Sequence, residues 1–389
     1  MTFWILYFIA LIPLIIGGIM CIRNKNEFTW KEWIVNSVLC LCTAGIMHAI
    51  AVTNITSDTE TWSGKVTSVK FIPTWIESYR IQHTVHHSSG SGEHKITWTT
   101  TYYTHHTSTH PDRWTVDTTL PYYTFDTDFN TYKNLFNELG STKISTPGTR
   151  RTMKDSSKMK EGDPNDYVTQ NTTGVIIPVN KKYDFENRVK AASTLFSFTP
   201  IPDNIKLPDY PQNSNTFTSD RLVGSATLLD IRKFDEMNSR LGPTKRVNVI
   251  FVGLNNVTSV NGKWLESKWL GGKKNDVVVV WGGLNSTPEW VYAFGWTDRK
   301  TVLRSLESII MKFGGTNEAI PYVEKEIFDN YQLKNWHDFD YIAIPISLNY
   351  IIGFSIFTLV SQCILMWWYH HNDIKENAYS RTYSSGYYR

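Results

Sequence analysis

FWILYFIALIPLIIGGIMCI, residues 3–22, runs for twenty positions without a charge. Two further stretches share its character: WIVNSVLCLCTAGIMHAIAVTNI at 33–55 and YIAIPISLNYIIGFSIFTLVSQCILMWW at 341–368. As a helix rising about 1.5 Å per residue, each is long enough to cross a hydrocarbon core of roughly 30 Å. The roughly 285 residues between the second and third are polar on average and hold almost all of the Asp, Glu, Lys and Arg. The pattern predicts a membrane protein with three transmembrane helices and one large water-facing body.

The first segment follows Met1 and Thr2 directly, without the basic start and short apolar core of a cleaved leader, and reads as a retained anchor. Arg23, Lys25 and Lys31 crowd the first loop and Lys375, Arg381 and Arg389 mark the tail, which predicts that both face the cytoplasm. The N-terminus and the large body are then extracytoplasmic. Trp30, Trp33, Trp367, Trp368 and Tyr369 fall at the proposed inner boundary, where amphipathic rings favour the headgroup region. Asn36, His48, Asn349 and Gln362 are the polar exceptions inside the spans. Helix-to-helix hydrogen bonding explains them better than an ion path does, because no Asp, Glu, Lys or Arg lies deep in a span. Gly17, Gly18 and Gly45 would permit close helix contact, so a homo-oligomer formed through these helices is a candidate alongside the lipid bilayer as partner.

All four cysteines, Cys21, Cys40, Cys42 and Cys363, sit in or beside the apolar segments, so the body has no disulfide framework to draw on. A net charge of +3 speaks against a nucleic-acid partner. Asn54, Asn171, Asn256 and Asn285 start Asn-x-Ser/Thr matches, meaningful only in a eukaryotic secretory pathway.

Within the body, residues 58–199 read as a β-rich subdomain, 200–217 as a Pro-rich linker stiffened by Pro200, Pro202, Pro208 and Pro211, and 218–337 as an α/β module. In the first part, Ser78 to Val85 and Lys95 to Tyr103 form a hairpin around Ser88-Ser89-Gly90-Ser91-Gly92. Alternation puts Ile96, Trp98 and Tyr102 on one face and Thr97, Thr99 and Thr101 on the other. Phe129 to Leu139 reads as a helix closed by Gly140, Ser141 to Gly174 as a solvated basic loop, and Asp184 to Phe196 as a second helix. In the module, a helix from Leu228 ends at Gly242-Pro243. A strand at Val247 to Val252, a short helix at Trp264 to Trp269 and a buried strand at Val277 to Trp281 make a parallel crossover. An antiparallel strand at Trp290 to Trp296 follows. Then come a helix capped by Thr297 or Asp298 that ends at Gly314, and a last helix opened by Pro321.

Several stretches taken together, Asp58-Thr-Glu-Thr-Trp62, Glu186-Asn-Arg-Val-Lys-Ala191, Leu241-Gly-Pro243, Trp269-Leu-Gly-Gly-Lys-Lys-Asn-Asp276 and Trp296-Thr-Asp298, resemble an uncharacterised family of membrane proteins of tailed bacteriophages and some bacteria. The resemblance spans nearly the whole chain and brings no established activity. Relatives often carry cysteines near His83 and Thr104; this chain has none there. From Leu228 to Asn335 the module is similar, more weakly, to the TPM domain, an α/β fold of membrane-associated proteins, some of them phosphatases. TPM domains usually present paired aspartates before the central strand and more acids after it. Here Asn275 replaces one acid, Asp276 keeps the other, and Asn285 and Glu289 follow the strand.

Two candidate divalent-cation sites emerge. Asp276 with Asn275 is the one the TPM resemblance implies. The other lies in the hairpin, because seven of eleven histidines fall between His83 and His110; His86 or His87 could meet His94 and Glu93 across the loop. Exposed strand and turn residues are the plainer reading of those histidines. A cluster of them would also charge together as the pH falls through the ordinary imidazole range. In the module, ligands of such folds bind beyond the carboxyl ends of parallel strands, which points to Gly253 to Gly262 and Gly282 to Glu289. No Walker loop, dinucleotide fingerprint, Gly-x-Ser-x-Gly elbow or His-Glu-x-x-His motif is present. The exterior tryptophans suit a packed face first and a binding surface second. The expectation is therefore an extracytoplasmic binding or scaffold protein that recognises another envelope component, a phage-encoded envelope modifier being one form of it; the alternative is a metal-dependent phosphatase-like hydrolase centred on Asp276.

Overall fold

The computed structural model describes residues 3–23, 30–90, 95–147, 158–160, 165–192, 201–212, 215–255, 258–342, 344 and 347–372. It is a mixed α+β structure with three sheets. Helices α1 (Phe3–Arg23), α2 (Trp30–Thr56) and, at the other end of the chain, the terminal helix Leu348–Asn372 cover the three apolar segments. Among the described residues α2 alone is long and apolar enough to cross a membrane by length and composition; Leu6–Ile19 and Leu348–Gln362 are shorter apolar stretches.

The three helices pack together through Leu6, Ala10, Ala44 and Phe354. Polar groups turn inward: Asn36 Nδ2 donates to Gln362 Oε1 at 2.6 Å, Tyr7 and His48 share a 2.9 Å hydrogen bond, and Tyr350 Oη donates to the Met47 carbonyl. Phe8, Ile12, Ile15, Val38, Ile46, Ile356 and Leu359 point outward and are exposed. Gly18 lies against the Trp33 ring, whereas Gly45 faces open space.

Helix α2 runs straight into β1 (Ser57–Ile72), the long strand around which the body is organised. Its second half pairs with β4 (Arg113–Thr118) and β8 (Asp166–Gln170), and its first half with β9 (Pro178–Glu186), all antiparallel. Short strands β5 (Thr124–Thr127) and β6 (Ile144–Thr146) complete this sheet. Helix α3 (Phe129–Glu138) is capped by Asp128, closes at Gly140 with φ +114°, and lays Tyr132 and Leu135 on Val66, Val69 and Val116.

Two expectations for this subdomain are corrected. Ser141 to Gly174 is not simply a loop, because it contributes β6, β7 (Lys158–Lys160) and β8; Arg150, Arg151 and Lys154 lie outside the described residues. Asp184 to Phe196 is not one helix. Its start belongs to β9, and a four-residue turn, α4 (Arg188–Ala191), follows under the Asn187 cap; Ser193 to Phe196 lie outside the described residues. Local preference lost there to a nine-residue ladder with β1, whose backbone groups would otherwise go unpaired.

The hairpin forms, longer than expected: β2 (Trp75–Ser89) pairs with β3 (Ile96–His110) over fifteen residue pairs. It leaves from the far end of β1, where Thr74 N and Oγ1 both donate to Asp112 and tie its base. Among the described elements its main contact beyond itself is β7, next to Glu77–Tyr79.

The module is a four-stranded sheet in the order β10 (Leu222–Gly224), β11 (Asn248–Leu254), β12 (Asp276–Gly283), β13 (Pro288–Gly295), with the first three parallel and the last antiparallel. Helices α5 (Ile231–Lys245), α7 (Thr301–Phe313) and α8 (Ile320–Asn330) cover one face around Phe234, Phe251, Trp281 and Leu306. The other face carries α6 (Val260–Lys268) and the Pro-rich segment, which packs Leu207, Ile205 and Tyr210 as a strap instead of hanging free. Gly242-Pro243 lies inside α5, which runs on to Arg246 at φ +53°. Gly242 passes so close to the Ser63 backbone of β1 that a side chain has no room. Thr297 and Asp298 do not cap α7; Lys300 holds that position, and Thr297 Oγ1 donates to the Gln332 carbonyl. The terminal helix is α9.

Candidate functional site: the aromatic arm and the buried junction

The register of the β2–β3 ribbon assigns its faces. Trp75, His83 and His87 stand opposite His110, Tyr102 and Trp98, and each pair stacks, at ring separations of 4.2, 4.9 and 5.4 Å. Cross-strand pairs of this kind are worth roughly 0.2–1 kcal/mol each. His83 also shares a hydrogen bond with Thr104 Oγ1, and His110 pairs with Glu77 at 2.9 Å. These histidines stiffen the ribbon. His86 and His87 are neighbours on a strand and so point to opposite faces; His94 and Glu93 lie outside the described residues.

The sequence reading placed the aromatic residues on one face, and the ribbon does so, but that face is open. Ile96, Trp98 and Tyr102 are 69 %, 49 % and 49 % exposed. The other edge of β3 has no neighbour among the described strands. Fifteen residues of ribbon, about 50 Å at roughly 3.3 Å per residue, therefore offer both an aromatic face and a free edge.

At the other end of β1, two of the quoted motifs meet. Asp58 and Glu60 share a face by the two-residue period and take Lys273 and Lys274: Lys273 Nζ bonds Asp58 Oδ1, and Lys274 Nζ lies 2.9 Å from Glu60 Oε1. Asn275 Nδ2 donates to the Thr61 carbonyl at 2.7 Å. Arg221, fully buried, donates from Nε to Asn248 Oδ1, from NH2 to Ser63 Oγ at 2.6 Å, and from NH1 towards Asp235 at 3.4 Å. Burial pulls the Arg221 guanidinium below its usual range and pushes the Asp235 carboxyl up, so desolvation outweighs their attraction.

Asp276, also fully buried, accepts three protein donors: Asn248 Nδ2 at 2.7 Å, Tyr210 Oη at 2.8 Å and the Lys273 N–H at 2.7 Å. Asn275 and Asp276 thus serve different partners, and among the described residues no group of three His, Cys, Asp or Glu is placed to hold a metal ion. Sequence reasoning missed Arg221, Lys273, Lys274, Asp58 and Glu60. The detectable signal was two acids at a two-residue spacing in a strand-like run.

Burial raises the Asp276 carboxyl to about 6, against the donors that favour its charge. A carboxyl raised on folding stabilises fully below its unfolded value near 3.9, and that contribution is lost as the pH rises through about 6. Asp276 alone should therefore favour the folded state by about 2 kcal/mol more at pH 4 than at pH 7. Thermal unfolding of the wild type and of Asp276→Asn across this window checks it. The difference between the two should carry that slope, and parallel curves would refute it.

Beyond the carboxyl end of β12 the chain bonds to itself. Asn285 Oδ1 accepts from Ser225 Oγ and Trp281 Nε1, and its Nδ2 donates to the Ser225 carbonyl. Asn256 and Val257, in the other predicted loop, lie outside the described residues.

Comparisons with protein-family models, curated proteins and solved structures find no match for this chain.

Proposed function

We propose that the chain is a multi-pass membrane protein that holds an extracytoplasmic recognition or scaffold body, with the β2–β3 arm as its contact surface for another envelope component. The single observation that carries the binding role is the arm's aromatic face, stacked into order yet left in solvent. A soluble fold covers such a face unless something else does. The multi-pass reading is supported by the inverted polarity of the α1, α2 and α9 bundle, with Asn36 and Gln362 bonded inside and isoleucines outside. In this reading the N-terminus and body are outside, the first loop and the tail are cytoplasmic, and the phage relationship remains a proposal about origin.

A photo-crosslinking residue at Trp98 in intact membranes should give one discrete adduct, and the same group at Tyr322, on α8, none. Recovery of the chain alone from both positions would sink the recognition role. A membrane-impermeant thiol reagent should label a cysteine placed at Thr99 but not one at Arg389 in intact cells, and the reverse would overturn the orientation. The hydrolase alternative would return if calcium, magnesium or zinc raised the melting temperature and Asp276→Ala abolished the rise.

A further inference from the structure

Where the body meets the helices there is a pocket of about 210 Å³. That is smaller than the roughly 300 Å³ at which drug-sized sites begin, and suits a small polar group. Its position follows from the chain: Glu186 pairs with Ser57, the first residue after α2, and Asn187 N donates to the Thr56 carbonyl. The opposite wall comes from the segment leading into α9. Trp336 Nε1 donates to the Glu186 carbonyl, and Arg188 NH1 to the carbonyl of Asp340, eight positions before Leu348. Trp336 packs edge-on against Phe339 and Phe185, an aromatic collar of the sort that sits at headgroup level.

The charges of the pocket are balanced and interleaved, with His337 Nδ1 also 3.2 Å from Asp340 Oδ2. Arg188 and Lys274 supply two cations, Glu186 and Asp340 two carboxylates. The Arg188 pairs at the rim, with Glu186 at 2.8 Å and Asp340 at 3.9 Å, are partly exposed, and exposed pairs contribute little. A ligand bearing both charges can take their place without leaving either uncompensated.

Resting on the three-span reading above, we propose that this pocket binds the zwitterionic headgroup of a phosphatidylethanolamine-type lipid. The phosphate meets Arg188 and Lys274, the primary ammonium meets Glu186 and Asp340, and the acyl chains stay along the helices. Lys274 also bonds Glu60, so the site touches the buried junction.

The test is native mass spectrometry of the full chain, purified in detergent, stripped of lipid and offered equal amounts of dioleoyl phosphatidylethanolamine, phosphatidylcholine and phosphatidylglycerol. Phosphatidylethanolamine should be retained at least fivefold over the other two. Arg188→Gln should weaken all three lipids, and Asp340→Asn, at a side chain 60 % exposed, should erase the preference over phosphatidylcholine without moving the melting temperature. Equal retention of the lipids, or a preference that survives Asp340→Asn, overturns the proposal. Displacement by soluble glycerophosphoethanolamine at lipid-like concentration would assign the site to a free zwitterion and overturn the lipid. Extraction of the chain by alkaline carbonate would sink the membrane reading itself, whereas a carbonate-resistant chain with no preference sinks only the pocket.

Discussion

Replacing Arg221 by methionine lowers the stability of the body by about 3–5 kcal/mol, the range for breaking a buried ion pair from one side. The side chain is fully buried and serves three elements at once: Ser63 on β1, Asn248 on β11 and Asp235 on α5. Its removal leaves Asp235 buried with only the Ser219 donors, and strips Asn248 Oδ1 of its partner. For a body of this size the loss corresponds to a fall in melting temperature on the order of 10 °C, read by tryptophan fluorescence of the full chain in detergent. Because desolvation outweighs attraction here, adding Asp235→Leu should recover about half of the loss instead of deepening it. A single variant that melts with the wild type would show that the junction does not couple β1 to the module.

Excising residues 73–112 and joining Ile72 to Arg113 through Asn-Gly abolishes co-purification, after amine crosslinking of intact membranes, of the partner captured at Trp98, while leaving the body folded. Ile72 and Arg113 are already cross-strand partners, so a two-residue turn closes the β1–β4 hairpin in register. Beyond itself the arm leans mainly on β7, and the cost should be no more than a few degrees of melting temperature. The core of the first subdomain, Val66, Val69, Val116 and Leu139, is untouched. A partner that still co-purifies with the shortened chain would place recognition elsewhere on the body. A collapse of the melting temperature would mean that the arm is structural.

The sequence by itself determined the elements whose pattern is local. Apolar runs marked α1, α2 and α9; the three-to-four spacing of Ile231, Phe234, Met237 and Leu241 marked α5; the buried run Val277 to Trp281 marked β12; the Ser-Gly loop marked the hairpin. For the candidate site, the two faces of β3 over Lys95 to Tyr103 were legible for the same reason, because alternation is a property of neighbours.

Only the tertiary structure decided the rest. Whether Trp98 is covered depends on what lies above β3, and nothing in residues 96–110 encodes that. Whether Glu186 ends a strand or a helix depends on Ser57, and which donors the Asp276 carboxylate accepts from depends on where Tyr210 and Asn248 fall. Asp58 finds Lys273, and Ser63 finds Arg221, across more than 150 residues of chain. Burial, ion pairing and the shift of a carboxyl are set by such distant partners, so a window of local sequence holds the residues of the junction but not the junction.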